Sequence, residues 1–354
     1  MPIQTAIDSI NQNQGSPFGF KNRIINGAMV IDQRNAGASV TPGDGQYVLD
    51  RTKSFQAVAS KYSVQQNAGS VTPPSGFKNY LGVTSLSAYT VGSTEYFFQR
   101  QIIEGYNIAD LGWGAAGAST VTLSFWVRSS LTGTFGGSLT NGGFDRSYPF
   151  TYTISSANTW TQISITIAGD TSGTWSTTNG SGITVNFGLG VGSTLSGTAG
   201  AWAGASYYSA TGATSVVGTN GATFYITGVQ LEKGTQATEF DYRPYGTELA
   251  LCSRYYQPIN SISALASSTT AIATNIQFAV PMRATPTISI TTTLTIYDGV
   301  SNYTQSSADA GSYLGSAYGG LWYSITNFSG LTQYRSYVLN PNGKQDSIRA
   351  TAEL

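Results

Sequence analysis

Residues 120–129, TVTLSFWVRS, carry Val121, Leu123, Phe125 and Val127 at alternate positions, with Thr122, Ser124, Trp126 and Arg128 between them. Side chains of a β-strand point to opposite faces in turn, so this period of two predicts a strand with one buried and one polar face. The pattern recurs at residues 148–154, 159–167, 183–189 and 223–231, each set off by Gly, Ser and Thr. Further strands are predicted at residues 22–31, 46–58, 61–65, 80–86 and 95–103. A short helix is predicted over residues 101–111, although Gly105 weakens it. Many strands joined by turn-rich segments, without alternating helices, predict an all-β chain of β-sandwich or jelly-roll type.

A hinge lies at residues 224–257, FYITGVQLEKGTQATEFDYRPYGTELALCSRYYQ. Pro244 disfavours helical backbone at Arg243, so a strand is expected to end there and the first domain with it. After Gly246, Thr247 can cap one helical turn reaching Cys252. A smaller C-terminal β domain follows, with strands predicted at residues 270–280, 287–296, 321–328, 335–339 and 347–353. A turn is predicted at Asn340, Pro341, Asn342 and Gly343. The expected division is residues 1–20 as a short anchor, 21–245 as the first domain and 246–354 as the second.

Composition excludes much. The 354 residues hold 17 Lys and Arg against 17 Asp and Glu, so no net field attracts nucleic acid or an anionic membrane. Histidine is absent and Cys252 is the only cysteine, which removes the usual zinc sites, disulfides and imidazole-dependent triads. No cofactor is expected and no metal site is predicted. Asp298 with Asn302, or Asp44 with Asp50, supply oxygen ligands but match no calcium loop. The N-terminus has no basic region followed by an apolar run, so synthesis without a signal peptide is expected. No window is apolar enough to insert in a membrane. Asn179 and Asn302 formally match glycosylation triplets, which matter only after secretion.

Residues 171–231 and 255–282 contain no charged residue. Surfaces so poor in charge suit either contact between copies of the chain or a neutral ligand. Trp113, Trp175, Trp202, Tyr207 and Tyr208 lie in Gly- and Ser-rich contexts, where an aromatic ring can stack on the apolar side of a sugar or on a neighbouring subunit. Asp145, Arg146 and Tyr148 follow Asn141-Gly142-Gly143, and an Asp-Arg pair there either binds sugar hydroxyls or closes a salt-bridged turn. Trp126 and Trp160 fall within predicted strands and read as core or intersheet packing. Glu232, Glu239 and Asp241 are the densest carboxylates, and a glycosidase needs two. Lys233 and Arg243 stand beside them, so ion pairing is the simpler account. Cys252 has no histidine to activate it and reads as a small buried side chain.

The stretches KNRIINGAMVIDQRNAG (21–37), EGYNIADLGWGAAGASTVTLSFWVRSSLTGTFGG (104–137), FYITGVQLEKGTQATEFDYRPYGTELALCSRYY (224–256) and VPMRATPTISI (280–290) resemble, in the same order, tail fibre proteins of tailed bacteriophages. The resemblance covers nearly the whole chain. It implies a carbohydrate-binding-module-like jelly roll up to the hinge, then a smaller β-sandwich domain, assembled as a homotrimer. It also implies a virion protein made in the host cytoplasm that is not an enzyme. Such a protein docks on a phage tail or baseplate protein through its N-terminal segment and binds host surface polysaccharide or lipopolysaccharide. The N-terminal segment is short for such fibres. Two alternatives follow: a structural decoration or connector protein of the virion, and a polysaccharide depolymerase using Glu232, Glu239 or Asp241.

Overall fold

The computed structural model describes residues 21–308, 311–317, 319–339 and 348–354. The predicted anchor at residues 1–20 and the predicted turn at 340–343 lie outside the described residues. Strands take 41% of the described residues and helices 6%, which makes the fold all-β. Two compact units divide the chain after Tyr245.

In the first unit, β1 (Gln46–Leu49), β2 (Thr52–Gln56), β3 (Tyr62–Gln66), β4 (Leu81–Ser85), β5 (Tyr96–Glu104), β6 (Val121–Ser129) and β7 (Gly133–Asn141) are followed by β8 (Ser147–Ile154), β9 (Thr161–Ile167), β10 (Ser181–Val191), β11 (Ser196–Gly197), β12 (Ser209–Ala210) and β13 (Thr223–Lys233). A six-stranded sheet runs β1-β2-β5-β10-β7-β8 and a five-stranded sheet runs β3-β4-β13-β6-β9. Their inner faces share one core, so this unit is a β-sandwich. The alternation of residues 120–129 places Val121, Leu123, Phe125 and Val127 in that core, each at most 1% exposed. Burial on this scale stabilises the fold by about 1.5–3 kcal/mol per large apolar side chain. Trp126 faces outward and is half-buried, so it does not pack between the sheets. Trp160, just before β9, is half-buried as well: its indole N–H donates to the Thr72 carbonyl at 2.9 Å and its ring meets Tyr80 edge to face.

Three stretches depart from the sequence pattern for identifiable reasons. Residues 22–31 are apolar enough for a strand but form a turn-containing extended segment. There, asparagine side chains take over the backbone pairing: Asn22 donates to the Val229 carbonyl and accepts from the Ile24 and Leu231 amides, while Asn26 bonds Ile31 and the Asp50 carbonyl. A Cβ on Gly27 would lie 2.1 Å from the Val229 oxygen, so only glycine permits this approach. The predicted helix at 101–111 is instead the end of β5 and two 3₁₀ turns, Gly105–Asn107 and Ala109–Leu111. Gly105 and Tyr106 donate to the carbonyls of Gly180 and Thr178, tertiary bonds that outweigh a weak helical preference. Strand β7, GTFGGSLTN, went unpredicted because Gly136 and Gly137 mask its alternation.

The second unit opens with α1 (Tyr245–Ser253), which starts directly after Pro244 and is longer than the single predicted turn. Cys252 is buried on it. The strands are β14 (Tyr256–Ile259), β15 (Ser263–Ala266), β16 (Ile272–Gln277), β17 (Thr287–Ile290), β18 (Thr295–Tyr297), β19 (Asn302–Thr304), β20 (Gly311–Ala317), β21 (Gly320–Ile325), β22 (Ser336–Leu339) and β23 (Ile348–Thr351). The predicted strand at 287–296 is thus two strands. A seven-stranded sheet, β19-β18-β22-β15-β16-β21-β20, and a three-stranded sheet, β14-β23-β17, share a second core.

Candidate functional site

Two aromatic assemblies in the first unit carry the residues singled out from sequence. In the first, Trp113, Trp175 and Trp202 meet edge to face with ring centroids 4.7, 5.3 and 5.4 Å apart, and Tyr148 adds its edge to Trp202 at 5.3 Å. All three indole N–H groups donate to backbone carbonyls: Trp113 to Ser119 at 2.7 Å, Trp175 to Ser172 at 3.0 Å and Trp202 to Ala168 at 2.8 Å. Trp113 and Trp175 were expected on open loops but are 8% and 7% exposed, because each ring is covered by the others. Trp202 and Tyr148 remain half-exposed.

Arg146 borders this group. Its guanidinium grips Asp170 through two bonds of 2.7 and 2.8 Å, which is where its ion pair lies rather than with adjacent Asp145. Asp170 holds the Arg146 pKa above its usual value. Asp145 is exposed and accepts from the Asn141 amide at 2.6 Å.

The second assembly lies on the outer face of the six-stranded sheet. Phe97 points into the core, so Tyr96, Phe98 and Arg100 of β5 point away from it. Residue pairing puts Lys53 of β2 opposite Arg100 and Phe55 opposite Phe98, with Tyr47 of β1 beside Lys53. On the other side Asn186 of β10 lies opposite Arg100. The segment carrying β11 and β12 folds onto the same face, where Gly136 and Gly188 leave room for Ser209. Tyr208 reaches Phe98 from this segment with centroids 4.8 Å apart, and Phe55 stacks on Phe98 at 4.9 Å. Tyr207 lies against Gly197, where a Cβ would come within 2.3 Å of its ring. Sequence context singled out Tyr207 and Tyr208 but not Lys53, Phe55, Tyr96, Phe98, Arg100 or Asn186. The period-two spacing of Lys53 and Phe55 on β2 and of Tyr96, Phe98 and Arg100 on β5 was the available signal, hidden because Phe97 is aromatic in the opposite phase.

Arg100 is the centre of this face. Its guanidinium carbon sits 4.5 Å from the Phe55 ring centroid, 4.7 Å from Phe144, 4.9 Å from Phe98 and 5.4 Å from Tyr208. Nε donates to Asn186 Oδ1 at 2.7 Å, whereas Nη2 is buried with no hydrogen-bond acceptor among the described residues. Burial pushes its pKa down to about 10, so it remains a cation at neutral pH. A buried cation without an anion is costly. Ring contacts worth about 0.5–2 kcal/mol each offset that cost. Nearby, Arg34 and Lys53 lie over the Tyr47 ring at 4.9 and 5.2 Å, and Lys53 lies over Phe55 at 5.3 Å. The result is a surface of half-exposed rings with Arg34 and Lys53 among them, resting on the buried Arg100 and Asn186.

Of the carboxylates considered for catalysis, Glu232 and Asp241 are committed elsewhere and Glu239 is exposed. Glu232 is 2% exposed and accepts from the Thr238 amide, the Thr238 hydroxyl and the Gln230 amide. Residues 239–241 form no strand, so Glu239 and Asp241 do not share a strand face. Asp241 accepts from the Asn22 amide and lies 3.7 Å from Arg243, and Lys233 pairs with Asp110 instead. The oxygen pairs considered for calcium are engaged too. Asp298 accepts from the Val300 and Ser301 amides and pairs with Arg335 at 3.2 Å, while Asp50 accepts from Gln33 and Asp44 from the Gln56 amide. No helix among the described residues is long and apolar enough to cross a membrane.

No family model matches the chain. No curated protein matches it either. Among solved structures, the enzymatically active domain of tailspike protein 4 of bacteriophage CBA120 is 12% identical at a TM-score of 0.33, covering 60% of this chain; the match spans 21% of that chain. A family 11 carbohydrate-binding module from Clostridium thermocellum, solved with a mixed-linked β-1,3-1,4 tetrasaccharide, is 13% identical at 0.29 over 56% of this chain and 98% of its own. A family 4 carbohydrate-binding module is 14% identical at 0.28 over 59% and 97%.

Proposed function

We propose that this protein is a non-enzymatic bacteriophage tail fibre that adsorbs the particle to host surface polysaccharide or lipopolysaccharide through the outer face of the six-stranded sheet. The observation that carries the binding role is the half-exposed ring surface of Tyr47, Phe55, Tyr96 and Tyr208, held together from beneath by the buried Arg100. Sugar rings stack their C–H faces on such aromatics, and polar side chains at the edge of such a surface bond the hydroxyls. The fibre role is supported by the four ordered stretches that resemble tail fibre proteins. In this reading three copies assemble, the N-terminal segment docks on a tail or baseplate protein, and the face is presented three times, so weak single contacts gain avidity.

Incubating the purified protein with host cells and with extracted surface polysaccharide tests this. Binding to one or both is expected, and it falls when Phe55→Ala and Tyr208→Ala are combined. Absence of binding while intact virions adsorb overturns the reading.

A second reading draws on the charge-free residues 171–231. A decoration or connector protein of the particle would bury such a surface between copies. Localisation on the head shell or in a buried ring of virion images would favour it over a fibre distal on the tail.

A further inference from the structure

Trp322, on β21 of the second unit, is 57% exposed, whereas the other five tryptophans are buried or half-buried. Its partner across β16 is Asn275, and Gly315 of β20 lies opposite on its other side. The inner face of the same hairpin is filled by Leu321, Tyr323 and Ile325, so Trp322 points away from the core. No hydrogen bond or ring contact engages the indole among the described residues. An exposed tryptophan gives up burial worth more than any other side chain's, which makes its position an unexplained feature of the fold.

Around it lies a shallow, open cleft of about 450 Å³, lined among the described residues by Trp322, Leu321, Asn275, Gln277 and the glycines Gly315, Gly319 and Gly320. A Cβ on Gly315 or Gly319 would meet nothing within 4 Å, so the space above these glycines is open. Gln277 donates from Nε2 to Asn275 Oδ1 at 2.8 Å, and both side chains are exposed. That bond holds the two amides in place and leaves the Asn275 amino group as donor and the Gln277 oxygen as acceptor. Adjacent hydroxyls of a sugar ring present the complementary pair. None of the described lining residues is charged, so none of them would offset a carboxylate or phosphate.

We propose that this cleft binds a neutral hexopyranose unit, with the sugar stacked on the Trp322 indole and two vicinal hydroxyls bonded by Asn275 and Gln277. It is a second glycan contact, built in the other unit and independent of the cationic face around Arg100. The charge contrast assigns the two sites different units of a heteropolysaccharide, or different polymers.

The test uses the full chain labelled with 5-fluorotryptophan and a panel of neutral hexasaccharides of glucose, galactose, mannose and N-acetylglucosamine. At least one sugar is expected to shift a single fluorine resonance, identified as Trp322 by its loss in Trp322→Phe. Trp322→Ala is expected to weaken that sugar at least about tenfold, and Asn275→Ala with Gln277→Ala about fivefold. All three side chains are exposed, so unfolding temperatures should stay within about 2 °C of the parent. If no sugar moves the resonance, the proposal fails. If the resonance moves on dilution of the protein and not with sugar, the indole contacts another copy and the proposal fails also. Loss of polysaccharide capture in Tyr208→Ala, with the Trp322 response intact, keeps this site separate from the fate of the proposed adsorption face.

Discussion

The two aromatic assemblies of the first unit are both built on ring–ring contacts, edge to face among the tryptophans and stacked or tilted with a central cation on the sheet face, yet they differ in how completely their polar atoms are answered. In the tryptophan group every indole N–H has a backbone acceptor, and Arg146 has both Asp170 oxygens. On the sheet face Arg100 has one amide partner, four rings and a buried Nη2 with no acceptor among the described residues. A closed polar network fixes one structure, whereas an incompletely satisfied one contributes less to stability. Aromatic content therefore does not separate the two, whereas polar completeness does.

The largest expected effect comes from breaking the closed group. Trp175→Ala removes a buried ring that two other indoles rest on, and a loss of about 3–5 kcal/mol is expected in urea unfolding. The sharper comparison makes one substitution in both places. Arg146→Met strands Asp170, which is 2% exposed, and a loss of about 3 kcal/mol follows. Arg100→Met strands no carboxylate. A base whose folded pKa lies below its unfolded value carries a charge that detracts from stability below that folded pKa, with the penalty fading as pH rises through it. Arg100, held at about 10, is such a base at neutral pH. Its replacement is expected to change stability by less than about 1 kcal/mol while polysaccharide capture falls. Equal losses for the two methionine variants would break the distinction between a structural and a binding arginine.

How much of this was legible in the sequence depends on the local signal. Strands such as β6 declare themselves because their two phases differ: Val121, Leu123, Phe125 and Val127 against Thr122, Ser124, Trp126 and Arg128. The outer face of the six-stranded sheet is obscured because β5 carries aromatics in both phases, Phe97 inward and Phe98 outward, so alternation cannot assign Arg100. Loop context drew notice to Trp113 and Trp175, but whether a tryptophan beside glycines is open or buried depends on partners 27 to 89 residues away, and no local pattern encodes those. The turn at residues 22–31 is hidden from the sequence pattern for a related reason. Its asparagines satisfy distant backbone groups at Val229, Leu231 and Asp50, which a local reading scores only as turn formers.

A smaller effect is expected at Tyr208. The ring is half-exposed, so Tyr208→Ala costs about 1 kcal/mol in stability. It also removes a stacking surface beside Phe98 and Arg100, and capture is expected to weaken about tenfold. Tyr208→Phe keeps the ring and should recover most of that loss in the same capture measurement. If phenylalanine behaves like alanine, the hydroxyl rather than the ring makes the contact.

The smallest expected effect is none, and it concerns pH. Arg100 stays protonated up to about pH 10 despite burial. Burial first, and then Asp44, raises the Tyr96 pKa, so its phenol stays neutral and the half-exposed ring keeps its uncharged face. The chain has no histidine, and ordinary carboxylates finish titrating below about pH 6. Capture of a neutral or carboxylated polysaccharide through this face should therefore be level from about pH 6 to 9, measured at fixed ionic strength so that screening does not change. A change above about threefold in that window requires a titrating group in the contact. The groups on this face do not supply one, so such a change would move the contact away from Arg100 and erase the contrast with the tryptophan group.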